Sequence, residues 1–164
     1  MDFAKKILSA ASLPAWRDDL RRRGRKLVAT NGCFDLLHLG HVSYLQQARG
    51  LGDALLVGLT SDAQVRRLKG PGRPVNREAA RAAVVAALES VDAVFVFPER
   101  DARHFLEVVR PDIYAKGGDY TLDTINQDER RLLEKLGIQI VLLPAVPGQS
   151  TTATLRRLSA HLSF

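Results

Sequence analysis

One cysteine in 164 residues, Cys33, leaves no internal disulfide framework. A reducing, cytoplasmic compartment is the default for such a chain. Aromatic residues make up only 6% and do not alternate with the basic ones, so the stacking stripes that hold single-stranded bases are missing. No apolar run approaches the roughly 18 residues that span a bilayer. The opening stretch "MDFAKKILSAASLPAWRDDLRRRGRK" lacks the apolar region and small-residue cleavage site of a secretory signal. No nucleic-acid or membrane partner is therefore expected. Internal repeats, low-complexity segments and linkers long enough to divide the chain are also absent.

What remains is an ordinary soluble composition, 46% hydrophobic and 26% charged, long enough for one domain with a real core. Lys plus Arg outnumber Asp plus Glu by 24 to 18, a net charge of +6 that suits an anionic partner. Part of that charge lies in "RRRGRK" (21–26), where cations favour a helix C-terminus.

Short apolar runs at 26–30, 53–59, 92–97, 112–115 and 138–144 have strand length and are rich in Val, Ile or aromatics. Helical patterns separate them at 40–50, 77–89, 101–110, 124–136 and 151–161, with Asp101 where an N-cap should be and Gly137 as a C-terminal stop. Residues 1–24 read as an N-terminal helical leader, and 25–164 as the domain that carries the chemistry. Strands alternating with helices imply a doubly wound, Rossmann-like α/β fold. Its parallel sheet has five strands and helices on both faces, a single domain plus the N-terminal helix. In such sheets ligands bind beyond the carboxyl ends of the strands, at the switch in strand order. The loops there are "NGCFDLLHLGH", "TSDAQVRRLKGPGRPVN", "PER", "KGGDY" and "AVPGQSTT".

"HLGH" sets His38 at the end of the first loop and His41 in the first helical turn. Free N–H groups and the dipole at a helix start favour an anion. Imidazole donors beside them stabilise charge that builds on phosphate oxygens. Gly40 removes a side chain where a ligand would approach the backbone. The spacing is not the i, i+4 of a zinc helix, and no neighbouring set completes four ligands, so no metal held by side chains is expected.

Three further loops fit phosphate chemistry. Lys69, in a Gly/Pro-rich loop, is placed to fold over phosphates or else is an ordinary solvated lysine; Arg73 and Asn76 bind the substrate or order the loop, which Arg81 braces from the next helix. In "KGGDY", Gly117 and Gly118 allow close approach to a base or ribose, Asp119 accepts from ribose hydroxyls, and Lys116 meets a substrate phosphate. Ser150 or Thr151 caps the last helix and, with Thr152, offers donors to phosphate. Asp35 is open between capping the following turn and touching substrate.

"TNGCFDLLHLGH" resembles the signature segment of the cytidylyltransferase-like nucleotidyltransferases, and "STTATL" (150–155) resembles their second motif. Together with "LKGPGRPVN", "ALESVDAV" and "KGGDY", the chain is most similar to the adenylyltransferases that act on D-glycero-β-D-manno-heptose 1-phosphate in lipopolysaccharide precursor synthesis. The resemblance implies that ATP and a sugar 1-phosphate give an ADP-sugar and pyrophosphate, with Mg²⁺ carried mainly by the nucleotide phosphates. It implies His38 and His41 on the triphosphate and Lys69 as a third catalytic group. The nucleotide pocket would be formed by Asn31, Gly32, Cys33 and Phe34. It also implies a homodimer or other homo-oligomer, and a separate sugar kinase to supply the substrate. Many cytidylyltransferases carry an arginine just before the Ser/Thr cluster where this chain has "PAVPGQ". A cytidylyltransferase using CTP with glycerol 3-phosphate or an amino-alcohol phosphate is the alternative within the class. A non-catalytic nucleotide- or RNA-binding module is the alternative outside it.

Overall fold

The computed structural model describes residues 2–118 and 120–161. Its strands are β1 (Ile7–Leu8), β2 (Leu27–Gly32), β3 (Ala54–Thr60), β4 (Ala93–Phe97), β5 (Ile113–Gly117) and β6 (Gln139–Leu143). They form one six-stranded sheet in the order β1-β4-β3-β2-β5-β6, every neighbouring pair parallel. Among the described residues seven α-helices cover it: α1 (Leu13–Arg22), α2 (Leu39–Arg49), α3 (Asp62–Lys69), α4 (Glu78–Ala86), α5 (Arg103–Val109), α6 (Gln127–Lys135) and α7 (Thr151–His161). None is long and apolar enough to cross a membrane.

Side chains along β2 alternate between two cores, as the period of two requires. Leu27 and Ala29 join a layer with Leu56, Phe97, Phe105 and Leu133, while Val28 joins Leu45, Leu55, Val85 and Ile113 on the opposite face. All seven residues of β3 are buried, which explains its nearly continuous apolar run. Each fully buried leucine contributes on the order of 2 kcal/mol.

The doubly wound class is as expected, but two local readings need correction. The sheet has six strands rather than five. The leader does not run as one helix: Phe3–Lys6 is a 3-10 turn, and Ile7–Leu8 pairs with Val94 and Phe95 at the sheet edge. Two residues are too few to display a strand period, and their anchor is remote, since Lys6 Nζ donates to Leu88 O (3.1 Å) and Val91 O (2.7 Å). α1 then docks through Trp16 and through Arg17, whose Nε donates to Val109 O at 3.0 Å and Nη2 to Arg110 O at 2.9 Å. Secondly, the expected loop after β3 contains α3, which buries only Gln64 and Val65 and so leaves a weak apolar signal. A smaller shift occurs at Asp101, which accepts from Arg103 N–H (3.1 Å) one residue before the N-cap position of α5.

The chain winds outward from β2 through β3 to β4, then returns to place β5 on the other side of β2. β2 and β3 stay paired from Leu27↔Ala54 to Gly32↔Leu59. β2 and β5 pair only at Val28↔Ile113 and Ala29↔Tyr114 and then part. That parting is the switch point, and it opens the cleft.

Candidate active site

Tyr44 of α2 wedges the diverging strands. Its hydroxyl donates to Ala115 O at 2.9 Å and shares a short hydrogen bond with the Thr30 hydroxyl, joining β5 to β2 where their ladder has ended. Burial pushes the phenol up, so it remains a donor. The ring packs against Gly117, where an added Cβ would sit 2.3 Å from Tyr44 Cδ2. Gly117→Ala is therefore expected to displace Tyr44 and cost about 1–3 kcal/mol of stability, read as a lowered melting temperature. A melting curve that overlays the wild type would show that Tyr44 does not depend on the gap at Gly117. Sequence reasoning missed Tyr44; its one signal was the i+3 spacing from His41 on α2.

The cleft beyond the wedge has a volume of about 580 Å³. Its floor is the β2–α2 loop, in which Phe34 takes φ +44°, a left-handed backbone uncommon for a bulky residue. An added Cβ on Gly32 would meet the Phe34 ring at 2.8 Å, so the glycine makes room for it. His38, extended at the N-cap position of α2, and His41, one turn inside, stack with ring centroids 3.9 Å apart. The Phe34 ring is 5.2 Å from His41. Nδ1 of both histidines is buried without a hydrogen-bond partner among the described residues. Such atoms are expensive unless a ligand meets them.

Burial, and then the neighbouring His38, push the His41 pKa down to about 4, with the Leu36 backbone partly opposing; burial also lowers that of His38. Both rings are neutral at pH 7, each keeping one N–H donor. Between the ordinary value of 6.5 and about 4, the unfolded chain holds a proton on residue 41 that the folded chain does not. Stability must then fall as pH falls through that window. The wild-type melting temperature is expected to drop more steeply there than that of His41→Gln. Parallel curves would contradict the neutral, buried ring.

α7 begins across the same cleft. Ser150 Oγ accepts from Ala153 N–H (3.0 Å), and the Thr151 hydroxyl donates to Leu36 O (3.2 Å), fastening α7 to the histidine loop. An added Cβ on Gly40 would come within 3.1 Å of Gln149 Cβ, so the glycine permits that closeness. Two helix N-termini thus converge with their positive dipole ends on one space.

On the opposite side, Asp35 is 4% exposed, and its carboxylate is committed to the 70–76 loop. It pairs with Arg73 Nε at 2.6 Å and accepts from the backbone of Val75 (2.8 Å) and Asn76 (3.2 Å). The Asn76 amide returns a bond to Asp35 O at 3.2 Å. Asp35, Arg73 and Asn76 therefore order the loop. Arg81, 2% exposed, braces it further: Nε donates to Asn76 O (3.0 Å), Nη1 to Cys33 O, and Nη2 to Thr60 O (2.9 Å) and Asp62 (2.7 Å). Lys69 is the last residue of α3 rather than part of a mobile loop, exposed at the cleft mouth.

Between β2 and β5, Lys116 Nζ donates to Asn31 Oδ1 (2.8 Å) and Tyr114 OH (3.1 Å) and lies 4.0 Å from Glu129 Oε2. Burial lowers the Lys116 pKa, while the Glu129 carboxylate works against that. Glu129 is itself held by Ala102 N–H at 2.9 Å. Sequence reasoning missed it, and its only signal was an acid in register with Leu132, Leu133 and Leu136 along α6.

The cleft brings together His38, His41, Lys69, Asn31, Gly32, Cys33, Phe34, Asp35, Gly40, Arg73, Lys116, Gly117, Ser150, Thr151 and Thr152. Asn76 stands behind it, and Asp119 lies outside the described residues. Among the described residues no cluster of three or more His, Cys, Asp or Glu is arranged to hold a metal ion.

The profile of the family described as cytidylyltransferase-like matches residues 29–158. A protein named bifunctional protein HldE from Syntrophotalea carbinolica is 48% identical over 158 residues, covering 96% of this chain and 32% of that protein. Its namesake from Mesorhizobium japonicum is 49% identical, with 94% and 31% covered. The chain spans about a third of the length of the curated relatives it matches. The crystal structure of the lipopolysaccharide core biosynthesis protein from Thermoplasma volcanium is 31% identical, covers 75% of this chain and 98% of that one, and superposes with a TM-score of 0.63. Pantoate-beta-alanine ligase from Francisella tularensis, complexed with beta-gamma ATP and beta-alanine, shares 14% identity at a TM-score of 0.58, with 89% of this chain and 68% of that one covered; the likeness is one of fold alone.

Proposed function

Since the chain belongs to the cytidylyltransferase-like family of nucleotidyltransferases, we propose that it transfers AMP from ATP to a sugar 1-phosphate. The acceptor is D-glycero-β-D-manno-heptose 1-phosphate, and the products are ADP-heptose and pyrophosphate. The observation that carries this reading is the stacked His38–His41 pair, neutral and with Nδ1 atoms that find no hydrogen-bond partner among the described residues, in one cleft with the start of α7. Such a site is built to take the charge of a triphosphate without forming a covalent bond to it.

An oxygen of the acceptor phosphate attacks the α-phosphorus in line, and the bond from the α-phosphorus to the bridging oxygen breaks as pyrophosphate departs. His38 and His41 donate to phosphate oxygens as charge accumulates, and Ser150, Thr151 and the free amides of α7 hold the remainder. Lys69 and Lys116 supply the positive charge that the absent arginine would have given. The carboxylate that lines the cleft among the described residues, that of Asp35, is engaged by Arg73, Val75 and Asn76, so Mg²⁺ would arrive on the triphosphate, where it would neutralise charge. Pro144, Ala145 and Val146 give the β6 side an apolar rim suited to a flat base.

Support for the heptose acceptor comes from "LKGPGRPVN" and "KGGDY" and from relatives named HldE at 46–49% identity. The name of the Thermoplasma volcanium protein points the same way. A sugar kinase must make the 1-phosphate, the setting is cytoplasmic, and the working form is a homodimer. Pyrophosphate release with ATP or CTP over a panel of phosphate acceptors tests the assignment. Activity with CTP and glycerol 3-phosphate, and none with ATP and sugar 1-phosphates, would overturn it.

A further inference from the structure

A second cavity of about 190 Å³ opens beside the main cleft. The two share a wall that includes Asn31, Thr60 and Lys116. Beyond it the side cavity extends past the ends of β3 and β4, to Arg100, Asp101, Asn126 and Glu129. At about 30 Å³ per water its volume matches roughly six waters, the scale of one six-membered ring with its hydroxyls.

Position decides which reactant belongs there. The phosphate donors of α2 and α7 and the apolar rim of β6 lie in the larger cleft, so the nucleotide is provided for. The side cavity lies across Asn31 and Lys116 from that rim, which leaves it to the organic part of the second reactant. Lys116 at the shared wall then meets the phosphate that joins the two.

Chemistry decides the class. Two cations, Arg100 and Lys116, stand with two carboxylates, Asp101 and Glu129, so the lining carries no excess of either sign. An amino-alcohol head would call for an acidic excess or an aromatic cage; the aromatic rings in this lining are Phe97 and Tyr120, and the Lys116 ammonium already lies 5.6 Å from the Tyr120 ring. Donors and acceptors are instead mixed, as vicinal hydroxyls require. The Asn126 oxygen caps α6 by accepting from Asp128 N–H (2.9 Å) and Glu129 N–H (3.2 Å), which leaves its amide nitrogen to donate. Arg100 forms no ion pair among the described residues. Glu129 Oε2, 3.3 Å from Tyr114 OH, offers an acceptor from the floor.

We propose that this side cavity is the subsite for the polyhydroxyl ring of the acceptor, with Asn126 and Arg100 donating to ring hydroxyls and Glu129 accepting from them. The assignment rests on a sugar 1-phosphate being the second substrate. Two variants test it: Asn126→Asp, which keeps the capping oxygen and removes the donor, and Arg100→Ala at the exposed lip. Each is expected to raise the acceptor KM about tenfold, with the ATP KM within about twofold of wild type. Calorimetric titration of the sugar 1-phosphate, with an unreactive ATP analogue present, should show the same tenfold loss. If the wild type turns over sugar 1-phosphates and both variants keep their acceptor KM, the subsite is wrong and the reaction assignment stands. If the wild type turns over none, the reaction assignment fails. The titration then decides the subsite alone, unchanged sugar affinity in both variants overturning it.

Discussion

Replacing His41 with alanine lowers turnover by about 10²-fold or more while ATP affinity falls far less. The asymmetry follows from the ring's neutrality. A neutral imidazole N–H adds little to binding a triphosphate that already has two helix N-termini and nearby lysines. Its contribution grows as negative charge builds on the transferring group, inside a cleft where burial holds the ring uncharged. His38 is stacked on the same ring, so removing His41 also frees His38 to turn away from the phosphates. His41→Gln keeps an N–H donor and should recover part of the lost turnover. Steady-state kinetics paired with calorimetric ATP binding and a melting curve separate these effects. Turnover equal to wild type would end the assigned role, and a loss confined to ATP affinity would reduce His41 to a binding group.

The largest effect on stability is expected at Arg81. Its guanidinium is buried and bonded to Cys33 O, Thr60 O, Asn76 O and Asp62, which joins the β2–α2 loop, the end of β3, the 70–76 loop and α3. Arg81→Met removes the donors, leaves the buried Thr60 O and the half-buried Cys33 O and Asp62 carboxylate without their partner, and frees Asn76 O from the loop brace. Breaking such a pair typically costs about 3–5 kcal/mol. For a chain of this size that corresponds to a melting temperature lower by roughly 6–20 °C. A melting temperature within about 2 °C of wild type would mean that the four bonds are replaceable.

The parts of this site that could be read from the sequence are those with local causes. His38, Gly40 and His41 share one helix start, and Ser150 to Thr152 share another, so each group declares itself within a few residues. Arg81 was legible as a brace because it lies one turn past the loop it holds. Tyr44 and Glu129 were not, since their partners are Thr30 and Ala115 in one case and Ala102 and Tyr114 in the other. A tyrosine or a glutamate on a helix does not announce which strand it will meet. The same distance hid β1, whose two residues gain strand character only against Val94 and Phe95. Asp35 was open between cap and contact because its partners lie 38 to 41 positions onward.

Phosphorus NMR of this chain with ATP, Mg²⁺ and D-glycero-β-D-manno-heptose 1-phosphate reads the proposed transfer of AMP at the reacting phosphates themselves. A sugar diphosphate and pyrophosphate are expected to appear in equal amounts as ATP and the sugar phosphate disappear. ADP with orthophosphate, or a diphosphate product formed only when CTP replaces ATP, would contradict it.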